Sequence, residues 1–215
     1  MAASDNGYFG TYCMLENTSG SSAVQVDGNM VVIGTPLEFT REVHVTDRGK
    51  EVPRIVLSRG QNALGFLPAN VYKRVAKLMD AGWTCRAYPS LSIFDKLHES
   101  YSTEVALICS APGEDATFDA FAQLMAARIA KGEHPAVALS DKELARVREA
   151  GGQWVQTKRT PLPEVKKGTA YFKTKQTTTE RLALAAASGN KGCYVALVAV
   201  VLVIIAAICL LVFIR

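Results

Sequence analysis

Residues 41–86 carry nine basic side chains against four acidic ones, a local excess of five positive charges. Phe66 and Tyr72 lie among them. Arg41, Arg54, Arg59, Lys73 and Arg74, with those two rings, are the side chains needed to hold phosphates and stack unpaired bases. They form a candidate nucleic-acid surface. A solvated surface explains the same residues more simply, since Lys73 and Lys77 stand four apart on the outer face of one helix, and it is the preferred reading. A second cluster, Asp95, His98, Glu99 and Ser100, has the acid, base and hydroxyl of a hydrolytic site. A polar connection between strands is the strongly preferred account of the same residues, and no catalytic residue is assigned.

Spacing excludes other chemistry. His44, His98 and His134 are far apart, and none forms HExxH or a Cys/His metal pattern. The chain has no P-loop, GxSxG or GxGxxG, so no cofactor and no metal are expected. Of the five cysteines, Cys13, Cys85 and Cys109 lack CxxC spacing. They are expected to be buried thiols of a reducing compartment.

The elements that would position these residues are short. Residues 1–27 are rich in Ser, Gly, Asn and Thr and read as a flexible polar N-terminus. Strand signals follow at 30–34 (MVVIG), 42–46, 54–58, 63–67, 86–94 and 105–110, with turn residues in TDRGKEVP and RGQN. Val71, Val75, Leu78 and Met79 recur on one helical face, opened near Pro68 and stopped by Gly82. This helix falls after the fourth strand. A second helical stripe runs through Phe118, Phe121, Ala122, Met125 and Ile129, with Asp115 or Thr117 as its cap and Gly132 as its stop. Ser140 with Glu143 is a capping box for a third helix, and residues 153–160 read as extended.

The expected fold class is α+β: a small, strongly bent β-sheet or barrel with one packed helix, a helical extension and one C-terminal transmembrane helix. The expected organisation is 1–27 flexible, 28–112 β-rich, 113–160 helical extension, 161–192 basic juxtamembrane linker and 193–214 transmembrane.

The run PRIVLSRGQNALGFLPANVYKRVAKLMDAGWTCRA orders a strand, a glycine turn, GFLP and a helix closed by Asp80-Ala-Gly82. On these residues the stretch 28–112 resembles a HIRAN-type domain. That resemblance implies a small β-barrel with one prominent helix, of the kind found on bacterial proteins and DNA-repair ATPases, and hence a bacterial source. It also implies binding of single-stranded DNA ends. The family's Asn-Pro-Tyr-Asp-like run is replaced here by HVTDRGKEVP, with Asp47 its only candidate, so no DNA contact transfers to a numbered position.

Residues 193–214 contain no charge, Pro or Gly over 22 positions. At about 1.5 Å per residue such a helix spans a hydrocarbon core of about 30 Å. Residues 153–192 hold eight basic and two acidic side chains, whereas residues 1–152 sum to −3. The positive-inside rule then places the N-terminal side in the cytoplasm and the C-terminus on the far side of the cell membrane. The start has neither a basic n-region nor an apolar h-region, and only Arg215 follows the span, so a tail-anchored, single-pass chain is expected. Lys166, Lys167, Lys173, Lys175, Arg181 and Lys191 are the candidate membrane-surface residues, acting either on anionic lipid or as orientation signals. The expected function is a membrane-tethered binding or scaffolding protein without catalysis, with the lipid bilayer and a protein as partners. A nucleic-acid-binding tether is the alternative, and a hydrolase comes third.

Overall fold

Val105, Ala106, Leu107, Ile108 and Cys109 are consecutive, lie in one strand and are each fully buried. Side chains alternate across a strand, so both faces of its sheet must be covered. The computed structural model, which describes residues 6–16, 33–95, 100–164 and 169–172, shows a different cover on each face. The chain divides into two units, Met1–Lys175 and Gln176–Arg215, and all described residues belong to the first.

Seven strands and three helices occur among the described residues: β1 (Tyr8–Met14), β2 (Glu38–Val45), β3 (Glu51–Arg59), β4 (Asn62–Phe66), α1 (Ala69–Asp80), β5 (Thr84–Asp95), β6 (Ser100–Ser110), α2 (Asp115–Ala130), α3 (Asp141–Glu149) and β7 (Thr169–Phe172). One antiparallel sheet has the order β1-β6-β5-β7 and the other β2-β3-β4. On one face of the first sheet, Tyr8, Tyr88, Ala106 and Ile108 pack with Phe118, Phe121, Met125 and Ile129 of α2 and with Leu144 and Val147 of α3. On the other, Val105 and Leu107 meet Ile55 and Leu57 of β3, Leu64 of β4 and Val75 of α1. The α+β class is as expected.

The barrel is not. Two separate sheets form, joined at two corners by single bridges, Leu37↔Ala87 and Glu16↔Phe66. Among the described residues no ladder continues through either corner, so no closed barrel results. At the second corner Glu16 and Phe66 exchange backbone hydrogen bonds of 2.9 Å in both directions. Gly65 makes this approach possible: its φ is +147°, and a Cβ there would lie 2.6 Å from the Glu16 carbonyl oxygen.

Helix boundaries follow their signals. α1 ends where Trp83 N–H returns to the Leu78 carbonyl (3.0 Å) around Gly82, and α2 ends likewise, with Glu133 N–H on the Arg128 carbonyl (3.1 Å). Glu143 accepts from both the backbone N–H and the hydroxyl of Ser140 at 2.7 Å, which is the expected box. Glu114 occupies the cap position of α2, ahead of the expected Asp115 or Thr117.

Other expectations need correction. Tyr8–Met14, read as flexible, is a strand paired along its whole length with β6. Its alternating rings fill both cores, a signal diluted by the polar residues after it. Ile33 and Gly34, the described end of the expected strand 30–34, form a turn, with Ile33 buried under α2; the rest of that stretch lies outside the described residues. β6 starts at Ser100, five residues before the expected start. Residues 153–160 are irregular, with one bridge, Pro135↔Arg159. Thr169–Phe172, within the expected linker 161–192, is strand β7 paired with the end of β5, while the expected membrane span and the candidate membrane-surface residues lie outside the described residues.

Candidate functional site

The basic set is answered largely from within the chain. Arg41 of β2 donates to the Asp80 carboxylate (2.6 Å) and the Ala76 carbonyl (2.9 Å). Arg54 of β3 pairs with Glu42 on the neighbouring strand, and its guanidinium lies 4.9 Å from the centre of the Phe66 ring. Arg74 of α1 lies over Phe9 at 4.1 Å, and Tyr72 packs half-buried against the same core. Arg59 at the β3–β4 turn and Lys73 on the outer side of α1 are exposed. The structure therefore unites Arg54 with Phe66 but gathers no open cationic face from the seven residues. His98 and Glu99 lie outside the described residues, as do Lys166, Lys167, Lys173, Lys175, Arg181 and Lys191. Among the described residues no three His, Cys, Asp or Glu side chains gather to hold a metal ion.

The feature that faces outward is an edge. β2 is the terminal strand of its sheet, and the Leu37–Ala87 bond (2.9 Å) is the last that ties its outer side to β5. From Glu38 to Val45 no strand pairs with that side among the described residues, leaving a row of backbone donors and acceptors open. The β2–β3 hairpin also extends past the core. Val43 and Val45 are 60% and 58% exposed, and Val52 is 38% exposed, although Ile55 and Leu57 further along β3 are fully buried. Val43 stands opposite Pro53 and His44 opposite Val52, so both faces of the arm carry apolar groups. The turn at its tip is firm: Thr46 N–H donates to the Lys50 carbonyl at 2.9 Å, and Gly49 takes φ +72°.

A buried polar cluster lies elsewhere, and its spacing in sequence conceals it. Ser90 is the extra residue at a bulge in β5, between Pro89 opposite Val105 and Leu91 opposite Glu104. Its hydroxyl donates to Glu104 Oε2 at 2.6 Å. His134 Nε2 meets the same oxygen at 2.8 Å, and its Nδ1 meets the Thr160 carbonyl oxygen at 2.9 Å. A carbonyl only accepts, so Nδ1 is the nitrogen that donates to the Thr160 carbonyl. A hydrolytic triad needs its serine on the imidazole. Here Ser90 bonds the acid instead, and Ser90, Glu104 and His134 are all buried. The cluster is a lock between β5, β6 and the loop after α2.

The same loop is fastened to β1. The Tyr8 hydroxyl donates to the Val137 carbonyl (2.6 Å) and that of Tyr12 to the Pro135 carbonyl (2.7 Å). Tyr12 also stacks on the His134 ring at 4.0 Å. Between the tyrosines Gly10 leaves the space the loop occupies: a Cβ would fall 2.0 Å from the Val137 carbonyl oxygen. Burial holds both phenols above their ordinary pKa, with smaller contributions from Cys109 and then Tyr12 at Tyr8 and from Glu104 at Tyr12. Comparison with known proteins gives no match: no family model, no curated protein and no solved structure is similar to this chain.

Proposed function

We propose that this chain is a membrane-tethered binding protein without catalysis, and that its body captures an extended segment of a partner protein along the open side of β2. The observation that carries the reading is the combination of unpaired edge and exposed Val43 and Val45. An added strand satisfies the backbone row, and alternate side chains of the guest cover the valines. The tether is the apolar run 193–214, and the basic stretch before it orients the body to the cytoplasmic face of the cell membrane, a bacterial one by the HIRAN-like resemblance. Among the described residues no helix is long and apolar enough to cross a membrane, and the run lies beyond them.

The test uses the full chain reconstituted in lipid vesicles. It is expected to float with the vesicles and to resist alkaline extraction. Selection from a displayed peptide library is then expected to enrich segments that alternate apolar and polar residues. Val43→Lys with Val45→Lys should abolish their capture while changing stability by no more than about 0.5 kcal/mol, because both positions are exposed. Equal capture by the double variant defeats the edge reading. Salt-dependent binding of short single-stranded DNA, without peptide capture, establishes the nucleic-acid alternative in its place.

A further inference from the structure

Cys85 of β5 stands directly opposite Cys109 of β6 in the ladder. Both lie on the face covered by α1 and the second sheet: Cys85 packs against that core, and Cys109 continues the series Val105, Leu107. Opposed residues of neighbouring antiparallel strands have Cβ atoms about 4.5–5.5 Å apart. A disulfide needs about 3.5–4.5 Å between the same atoms, so the two sulfurs can join with a movement of about 1 Å.

The surroundings differ from those of two inert core thiols. Phe9 of β1 is the register partner of Cys109 on its other side, so Phe9, Cys109 and Cys85 form a row across three strands. The Arg74 guanidinium lies over the Phe9 end of that row. Its buried Nε has no hydrogen-bond partner among the described residues. Cys85 is half-buried and Cys109 fully buried. An oxidant therefore reaches Cys85 first, with Cys109 behind it as the resolving thiol. The neighbouring Cys85 side chain, then burial, holds the Cys109 thiol well above its ordinary pKa, against the opposing pull of Arg86 and Arg74.

We propose that Cys85 and Cys109 are a redox modification site that takes up hydrogen peroxide and closes a reversible cross-strand disulfide. The Cys85 thiolate sulfur attacks one peroxide oxygen, the O–O bond breaks, and the departing hydroxide leaves as water after taking a proton. Cys85 is then a sulfenic acid. The Cys109 sulfur, giving up its proton, attacks the Cys85 sulfur; the S–O bond breaks and its hydroxyl leaves as a second water. Two thiols and one peroxide become one disulfide and two waters, with two electrons passing from sulfur to oxygen. Transient bonds of this sort suit a reducing compartment, where a permanent one does not persist.

The experiment treats the full chain in detergent micelles with hydrogen peroxide, alkylates the remaining thiols, digests and weighs the peptides. A Cys85–Cys109 linked peptide is expected in the folded protein, and dithiothreitol should remove it. In Cys109→Ser, dimedone should trap the sulfenic acid on Cys85. Arg74→Met should slow closure several-fold. The wild-type protein alone decides the matter if the variants fold poorly. Two thiols still alkylated after peroxide, linkage of Cys85 to any other cysteine, or linkage seen only after unfolding in urea each overturn the proposal.

Discussion

Gly10 is the residue on which one side of the molecule depends. A methyl group there would overlap the backbone of the loop that Tyr8 and Tyr12 hold, and a backbone carbonyl cannot rotate away as a side chain can. Gly10→Ala should cost about 2–3 kcal/mol, read as a lowered thermal midpoint. Tyr8→Phe should cost about 1–3 kcal/mol by the same measurement, since it leaves the Val137 carbonyl without its donor. A second prediction concerns alkali. Burial, and after it the charge of Glu104, push the Cys13 thiol from 9.0 up to about 12. The unfolded thiol ionises first, so this contribution to stability is complete below pH 9 and fades as pH rises toward 12. Urea unfolding from pH 8.5 to 10.5 should fall more steeply for the wild type than for Cys13→Ala; parallel slopes would show that the thiol is not held neutral. At this scale the sequence is only partly legible. The spacing Tyr-x-Gly-x-Tyr is visible as alternation, but Ser90, Glu104 and His134 meet only through a bulge, a strand pair and a loop. A lone Glu at the head of the apolar run EVALIC was their one local trace.

Elements were legible where a local device marks them. The apolar periodicity of α1 and α2, their glycine stops and the Ser140–Glu143 box are all contained within a few residues. The box also makes a prediction. The Ser140 hydroxyl, followed by its backbone N–H, lowers the pKa of Glu143, so what the carboxylate contributes is present above pH 4.5 and is lost as pH falls through the lowered value. Ser140→Ala should destabilise α3 by about 1 kcal/mol at neutral pH, and the deficit should narrow in acid. A deficit unchanged by pH would mean that the hydroxyl does not act through Glu143. Strands were harder to read because their pairing is remote. β1 and β7 carry no turn signal that announces a partner, and the register partners of β1 stand 90 to 102 residues away, from Met14↔Glu104 (104 − 14) to Tyr8↔Ser110 (110 − 8). β2 was legible as a strand, but its position at an edge depends on where β5 runs, which no local pattern encodes.

For the whole chain, composition separated an acidic body from a basic approach to the apolar run, a division of charge that needs no coordinates. It also gave the α+β class, because strand-like and helix-like periods both recur. Composition could not give the count of sheets. One bent sheet and two sheets joined at corners contain the same strands, and the difference rests on single bridges such as Glu16↔Phe66 with Gly65 beneath it. The segments expected as terminus, β-rich domain and helical extension lie within one unit, since α2 and α3 share a core with β1 and β6. That arrangement sets a clock on synthesis. β1 leaves the ribosome early, yet its partner β6 ends at Ser110, and at about 5–20 residues per second the intervening chain takes roughly 5–20 s to follow. For that interval Tyr8, Phe9 and Tyr12 have no strand to pair with, and among the described ladders only β5–β7 must wait for a strand made later.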